Sequence, residues 1–130
     1  MKLIRFGKAE SEKPGVFLDG KRKDLSQHFS DWDRPFFRDG GLKKLEAALQ
    51  KNMDLPDVAD DVRWGSPVAR PGKVLCIGLN YSDHAKESGM AIPAEPILFQ
   101  KGVNAVVGPY DNILTQEVVK RPIGKWNWGL

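Results

Sequence analysis

The sequence predicts an α+β protein in which strands predominate, with a small antiparallel β/α domain first and a second β-rich unit after it. Three observations carry that expectation. An Asp19-Gly20 dipeptide stands between short apolar runs, which signals a hairpin. A single apolar stripe of helical period follows at Leu42, Leu45, Ala48 and Leu49. Two further short apolar runs, 74–79 and 97–100, are bounded by Pro and Gly.

Lys2 to Gly7 alternates apolar and polar except at Leu3-Ile4, and Gly15-Val16-Phe17-Leu18 runs into Asp19-Gly20, with Lys21 to Ser26 as the returning strand. Residues 1–26 therefore read as an antiparallel meander. The helix ends near Asn52, and Asp39, ahead of Gly40-Gly41, is its expected cap. Residues 53–73, with Pro56, Pro67, Pro71, Asp57, Asp60 and Asp61, read as a loosely packed connection at a domain boundary. Val74-Leu75-Cys76-Ile77 then reads as a buried strand and Asn80 to Ser88 as a turn into a short helix stopped by Gly89. Ile97-Leu98-Phe99-Gln100-Lys101 gives another strand, Asn104 to Val107 a third, and Gly108-Pro109-Tyr110-Asp111 a turn.

At 130 residues and 41% hydrophobic content the chain is at most one ordinary domain in size. It has no apolar run of spanning length, and the charges in Met1-Lys2-Leu3-Ile4-Arg5 do not suit a signal peptide, so a cytoplasmic protein is expected and no membrane partner. Much of the net charge of +3 comes from Lys120, Arg121 and Lys125 near the end of the chain. Elsewhere the signs are interspersed, which argues against a nucleic-acid partner. Trp126 and Trp128, with Lys125 and Asn127, would suit single-strand stacking, but a chain end of this composition reads better as a tail. The single cysteine, Cys76, lies among Val74, Leu75 and Ile77 and reads as a packed small hydrophobe.

His84 and Glu87 stand three residues apart on the expected helical turn, so an imidazole and a carboxylate share one face. Such a pair can take a proton from water, and an ordinary surface pair has the same spacing. Lys101 closes a strand, where it could meet a carboxylate or an enolate in a cleft or simply be solvated. Tyr81, in the turn, fits either a pocket wall or a half-buried core position. His28 reads as a surface residue. Asp57, Asp60 and Asp61 lack a calcium-type loop and read as solvated charge, so no metal ligands are assigned.

The stretch Ala69-Arg70-Pro71-Gly72-Lys73-Val74-Leu75-Cys76-Ile77-Gly78-Leu79-Asn80-Tyr81-Ser82-Asp83-His84-Ala85-Lys86-Glu87 resembles the fumarylacetoacetate hydrolase family, whose near members are labelled ureidoglycolate lyase or 2-hydroxyhepta-2,4-diene-1,7-dioate isomerase. The likeness continues from Met90 to Lys101 and on to Gly108-Pro109-Tyr110-Asp111. Residues 1–68 are similar to the small domain that often precedes the catalytic part; 69–114 then correspond to the start of the catalytic mixed sheet, left incomplete, and 115–130 fall outside the pattern. The resemblance implies an enzyme using Mg2+ or Mn2+ on small keto or enol acids or ureidoglycolate, as a carbon–carbon hydrolase, lyase or isomerase, often as a homodimer. It implies that His84 handles a water proton and that Glu87 orients it, and Lys101 matches the lysine that closes the family's Leu-Phe-x-Lys strand; with Tyr81, read from its place in the turn, Lys101 is the expected substrate contact.

Members of the family continue with an Asp-Trp-Glu-Val-Glu-Leu segment bearing metal carboxylates, where this chain has Pro122-Ile123-Gly124-Lys125-Trp126-Asn127-Trp128-Gly129-Leu130. Codons for Lys120 to Gly129 permit Lys-Thr-Asp-Trp-Glu-Val-Glu-Leu-Gly in a shifted frame, and the genetic code forces its last three residues. The expectation is a frameshift after Leu114, leaving a truncated form that is inactive alone. The alternative is a non-catalytic binding or regulatory module that pairs with a full-length homologue.

Overall fold

Both central residues of the Asp19-Gly20 turn have positive φ, 48° and 80°, as a two-residue hairpin turn with the twist of its strands requires. The turn joins β2 (Lys13–Leu18) to β3 (Lys21–Asp24), with Leu18 opposite Lys21. β1 (Lys2–Phe6) runs antiparallel to β2, and the two-residue β4 (Trp64–Gly65) pairs with its other edge, giving the order β3-β2-β1-β4. The structure, a computed structural model, describes residues 1–51 and 53–114. The α+β class with mostly antiparallel strands is as expected.

The Leu3-Ile4 break in alternation has a physical cause, because the first sheet is covered on both faces. Leu3 and its cross-strand partner Val16 pack with Trp32, Leu25, Leu45 and Leu55. Ile4, Phe6 and Phe17 face the other way, onto Val58, Val62 and Trp64. Two apolar residues in succession thus serve two separate cores. Gly15, opposite Ile4, has no room for a side chain: a Cβ there would lie 2.5 Å from the Lys23 carbonyl oxygen and 3.0 Å from the Phe6 ring.

The stretch expected to be a loose connection is instead ordered by β3. Arg22 is 3% exposed; it donates to the carbonyls of Val62 and Ala59 and lies 5.0 Å from the centre of the Trp64 ring. The Val58 amide donates to the Arg22 carbonyl at 2.9 Å, and the Asp24 amide to Pro56 at 2.9 Å. Asp57 pairs with Lys23 at 2.6 Å. Burying one guanidinium requires acceptors around it, and residues 55–63 supply them.

Two helices follow β3. α1 (Arg34–Arg38) has Asp33 as its cap, whose carboxylate accepts from the Phe36 amide at 3.0 Å, and Pro35 in its first turn. α2 (Gly41–Gln50) carries the anticipated stripe, with Leu45 buried. Its cap differs from expectation: Gly40, with φ 71°, occupies that position, while Asp39 closes α1 and pairs with Arg38.

β5 (Val74–Gly78) and β6 (Ile97–Lys101) form a two-stranded antiparallel ribbon. Here the expectation of a buried strand is corrected: Leu75 and Ile77 are exposed and Cys76 is only half-buried. A continuous apolar run records what a strand can bury, not whether a neighbour covers it. The third strand expected over 104–107 is absent; Val103–Ala105 forms a 3-10 turn. The Gly108 to Asp111 turn forms as expected, closed by the Asp111 amide on the Gly108 carbonyl at 3.1 Å.

Candidate functional site

The chain leaves β5 through Leu79, whose φ of 50° puts a bulky residue in left-handed backbone. That conformation costs roughly 1–2 kcal/mol, and it redirects the chain into α3 (Ser82–Glu87), which starts after Tyr81. The C-terminus of α3 is locked by paired reverse bonds, Gly89 amide to Lys86 carbonyl at 3.1 Å and Met90 amide to Ala85 carbonyl at 3.0 Å. Gly89 has φ 65°, so the predicted stop is a glycine in left-handed backbone. Ala85 is fully buried and anchors the helix.

His84 and Glu87 therefore lie one turn apart on a helix held at its C-terminal end. His84 is half-buried and Glu87 exposed, so the helix holds the histidine between the protein and solvent. Tyr81, immediately before the helix, is 73% exposed, which excludes the core alternative in this structure. His28 is exposed.

Lys101 is at the other end of the ribbon. It sits opposite Val74, whereas the end of β5 that feeds α3, Gly78, sits opposite Ile97. Four residue steps separate the two ends, roughly 13 Å along the strand. The Lys101 ammonium lies 5.9 Å from the centre of the Phe99 ring. The structure thus places His84 and Glu87 on one element, with no hydrogen bond or ion pair between their side chains, and places Lys101 at the opposite end of the strands.

A cleft of about 260 Å3 opens at the Gly78 end, lined by Ile77, Leu79, Asn80, Pro93 and Glu95 among others. Asn80 and Glu95 were not singled out from the sequence. The one signal for Glu95 was its place between Pro93 and Pro96, which confines the backbone around it. Among the described residues no group of three or more His, Cys, Asp or Glu is placed to hold a metal ion.

Residues 73–126 match the family described as fumarylacetoacetate (FAA) hydrolase C-terminal. The likeness is to fumarylacetoacetate hydrolase. The matched segment holds β5, α3 and β6, and so both halves of the His84 and Glu87 pair. A "Putative hydrolase" of Burkholderia multivorans is 44% identical over 114 residues, 87% of this chain and 40% of that protein. Another of that description from Burkholderia cenocepacia is 44% identical over 115 residues, with the same shares. A solved structure titled as a putative HpcE protein from Mycobacterium smegmatis has a TM-score of 0.64 at 25% identity, covering 90% of this chain and 41% of that one. The chain spans about 40% of the length of the curated relatives it matches.

No helix among the described residues is long and apolar enough to cross a membrane. Trp126, Trp128, Lys125 and Asn127, considered above for strand stacking, lie outside the described residues.

Proposed function

We propose that this chain is the leading part of a fumarylacetoacetate hydrolase family enzyme that acts on a small keto or enol acid. His84 accepts the proton of a water molecule, Glu87 orients the imidazole and disperses its charge, and Tyr81 and Lys101 contact the substrate. The observation that carries this reading is the helix itself: a half-buried histidine and an exposed glutamate one turn apart, directly after a strand, in the segment that matches the family. Residues 1–68 and 69–114 are read as its two domains, with a cytoplasmic homodimer as the assembly. Ureidoglycolate cleavage and dienedioate isomerisation are the alternative reactions within the same class.

The proposal includes a shifted reading frame after Leu114, which would account for the lack of a carboxylate set suited to magnesium or manganese among the described residues. Sequencing the gene decides that part: a second frame without Lys-Thr-Asp-Trp-Glu-Val-Glu-Leu-Gly rejects it. The chemistry is tested by turnover of oxaloacetate and acylpyruvates. This chain alone is expected to be inactive, and the shifted-frame product active. His84→Ala is expected to lower kcat of that product by roughly 10²–10⁴-fold, and an unchanged kcat would reject the assigned role.

A second reading, a non-catalytic module that pairs with a homologue, is favoured by the exposed apolar side chains of the ribbon, Leu75 and Leu98 above all.

A further inference from the structure

We propose that Arg63 is a positioning residue for Lys101: through Asp111 it fixes the Lys101 end of the β5–β6 ribbon to the N-terminal sheet, while the end that carries His84 and Glu87 is held by its own local structure. The inference rests on the reading of Lys101 as a substrate contact and extends that site into the N-terminal part of the chain.

Two crossings between the N-terminal part and the ribbon lie at the same end of the strands, where Val74 and Lys101 face each other. Upstream of Val74, the buried Ala69 donates its amide to the Trp32 carbonyl at 2.9 Å, and Trp32 is itself tied to β1 and β2 through Ile4 and Gly15. Downstream of Lys101, both Asp111 oxygens accept from the Arg63 guanidinium, which also donates to Glu12 and to the Gly7 carbonyl. Glu12 is wedged in turn: Arg5 stands 3.4 Å away, and a Cβ on Gly65 would lie 2.7 Å from the Glu12 Cγ. Arg63 is therefore a post set in the first sheet, and a two-pronged charge-assisted pair fixes direction as well as distance.

The link from Asp111 back to Lys101 consists of closed turns. The Ala105 amide donates to the Gly102 carbonyl at 3.0 Å and the Val106 amide to the Val103 carbonyl at 3.3 Å. Gly102 makes room for Asn104, whose Oδ1 would lie 2.5 Å from a Cβ there. Gly108 abuts the Trp64 carbonyl, and its amide donates to Asp111 at 2.7 Å. Each such bond removes backbone freedom, so a displacement at Asp111 is passed on to Lys101. The other end of the ribbon differs. Among the described residues the hydrogen bonds of α3 stay within residues 81–90, and Gly78, which leads toward α3, sits opposite Ile97. The N-terminal sheet thus governs one part of the candidate site and not the other.

The test is solution NMR on the full chain and on its Asp111→Asn and Asp111→Glu variants. Asp111→Asn keeps the shape of the side chain and breaks the pair. Hydrogen exchange at the Ala105 and Val106 amides is expected to accelerate at least about threefold, as local opening would. The Lys101 ε-methylene signals, which feel the Phe99 ring 5.9 Å from the ammonium, are expected to move toward those of a free lysine. The Gly89 and Met90 amides should keep their rates. Asp111→Glu restores the carboxylate and should recover most of both effects. Unchanged rates at Ala105 and Val106, unmoved Lys101 signals, equal acceleration at Gly89 and Met90, or an Asp111→Glu variant no better than Asp111→Asn overturns the proposal. None of these readings needs turnover, so an absence of oxo-acid chemistry would reject the catalytic reading and leave the anchoring of Lys101 standing.

Discussion

Arg63 and Asp111, 48 residues apart in sequence, form a two-pronged ion pair, Nε to Oδ1 at 2.7 Å and Nη2 to Oδ2 at 2.5 Å. The same guanidinium donates to Glu12 at 2.9 Å and to the Gly7 carbonyl at 3.1 Å. One side chain therefore ties the β1–β2 connection, the approach to β4 and the turn after β6 together. Asp111 in turn accepts from the Gly108 amide at 2.7 Å, and a Cβ on Gly108 would collide with the Trp64 carbonyl. The family-matched segment is thereby fastened to the N-terminal sheet.

Asp111→Asn tests this clasp. A bidentate charge-assisted pair cannot be replaced by one amide oxygen, so the turn should open more often while the two cores remain. Hydrogen exchange at the Gly108 and Asp111 amides is expected to accelerate at least several-fold, with the amides of β1 and β2 unchanged. Equal exchange in the variant and the wild type would show that the pair does not hold the turn.

Acid should release the same contact. The Arg63 hydrogen bond, reinforced by the Gly108 amide, holds the Asp111 carboxyl below its ordinary range. Burial pushes Glu12 up, but hydrogen bonds from Arg63 and its own backbone, with the charges of Arg5 and Arg63, leave it lowered as well. Both folded values lie beneath the unfolded ones, so their stabilisation is complete above the unfolded carboxylate range near pH 4 and is lost as pH falls through the folded values. Melting temperatures from pH 7 to pH 2 should fall less steeply below about pH 4 in the Glu12→Gln, Asp111→Asn double variant than in the wild type. Parallel curves would refute the linkage.

The buried indole of Trp32 has a role that hydrophobicity alone does not describe. Its Nε1–H donates to the Ile4 carbonyl at 2.8 Å and to the Gly15 carbonyl at 3.0 Å, the two residues facing each other across β1 and β2. Trp32→Phe keeps an aromatic ring but removes the donor, with an expected loss of about 1–3 kcal/mol by urea unfolding. Gly15→Ala, which drives a Cβ toward the Lys23 carbonyl and the Phe6 ring, is expected to cost roughly 1–3 kcal/mol. Losses under a few tenths would remove the steric and hydrogen-bonding account of this strand pair.

What could be read from the sequence was local. Asp19-Gly20 and Gly89 declare themselves because positive φ is a property of a few residue types at one position, and the Leu42 to Leu49 stripe is set by a period of 3.6. Residues 53–73 resisted because their order comes from Arg22, whose partners Ala59 and Val62 lie 37 and 40 residues away. No local pattern in a Pro- and Asp-rich stretch reports a distant buried guanidinium. α1 was missed although Asp33 and Pro35 are start signals, since five residues are too few to show a periodic stripe. For the candidate site, the spacing of His84 and Glu87 was legible. The placement of Lys101 at the far end of the ribbon was not, because strand register depends on both strands.

The assignment of Glu87 as the residue that orients His84 makes a prediction that distinguishes it from two independent surface groups. If Glu87 acts through the imidazole, removing it matters only while the imidazole is there. In the shifted-frame product, His84→Asn and Glu87→Gln should each lower kcat for an oxo-acid substrate, and the double variant should be scarcely worse than His84→Asn alone. Independent contributions would instead multiply. KM should change little in the Glu87→Gln variant, because a positioning residue acts on the proton-transfer step and not on substrate binding. A multiplicative double variant, or a Glu87→Gln effect confined to KM, would move Glu87 from the proton relay to the substrate-binding surface beside Tyr81.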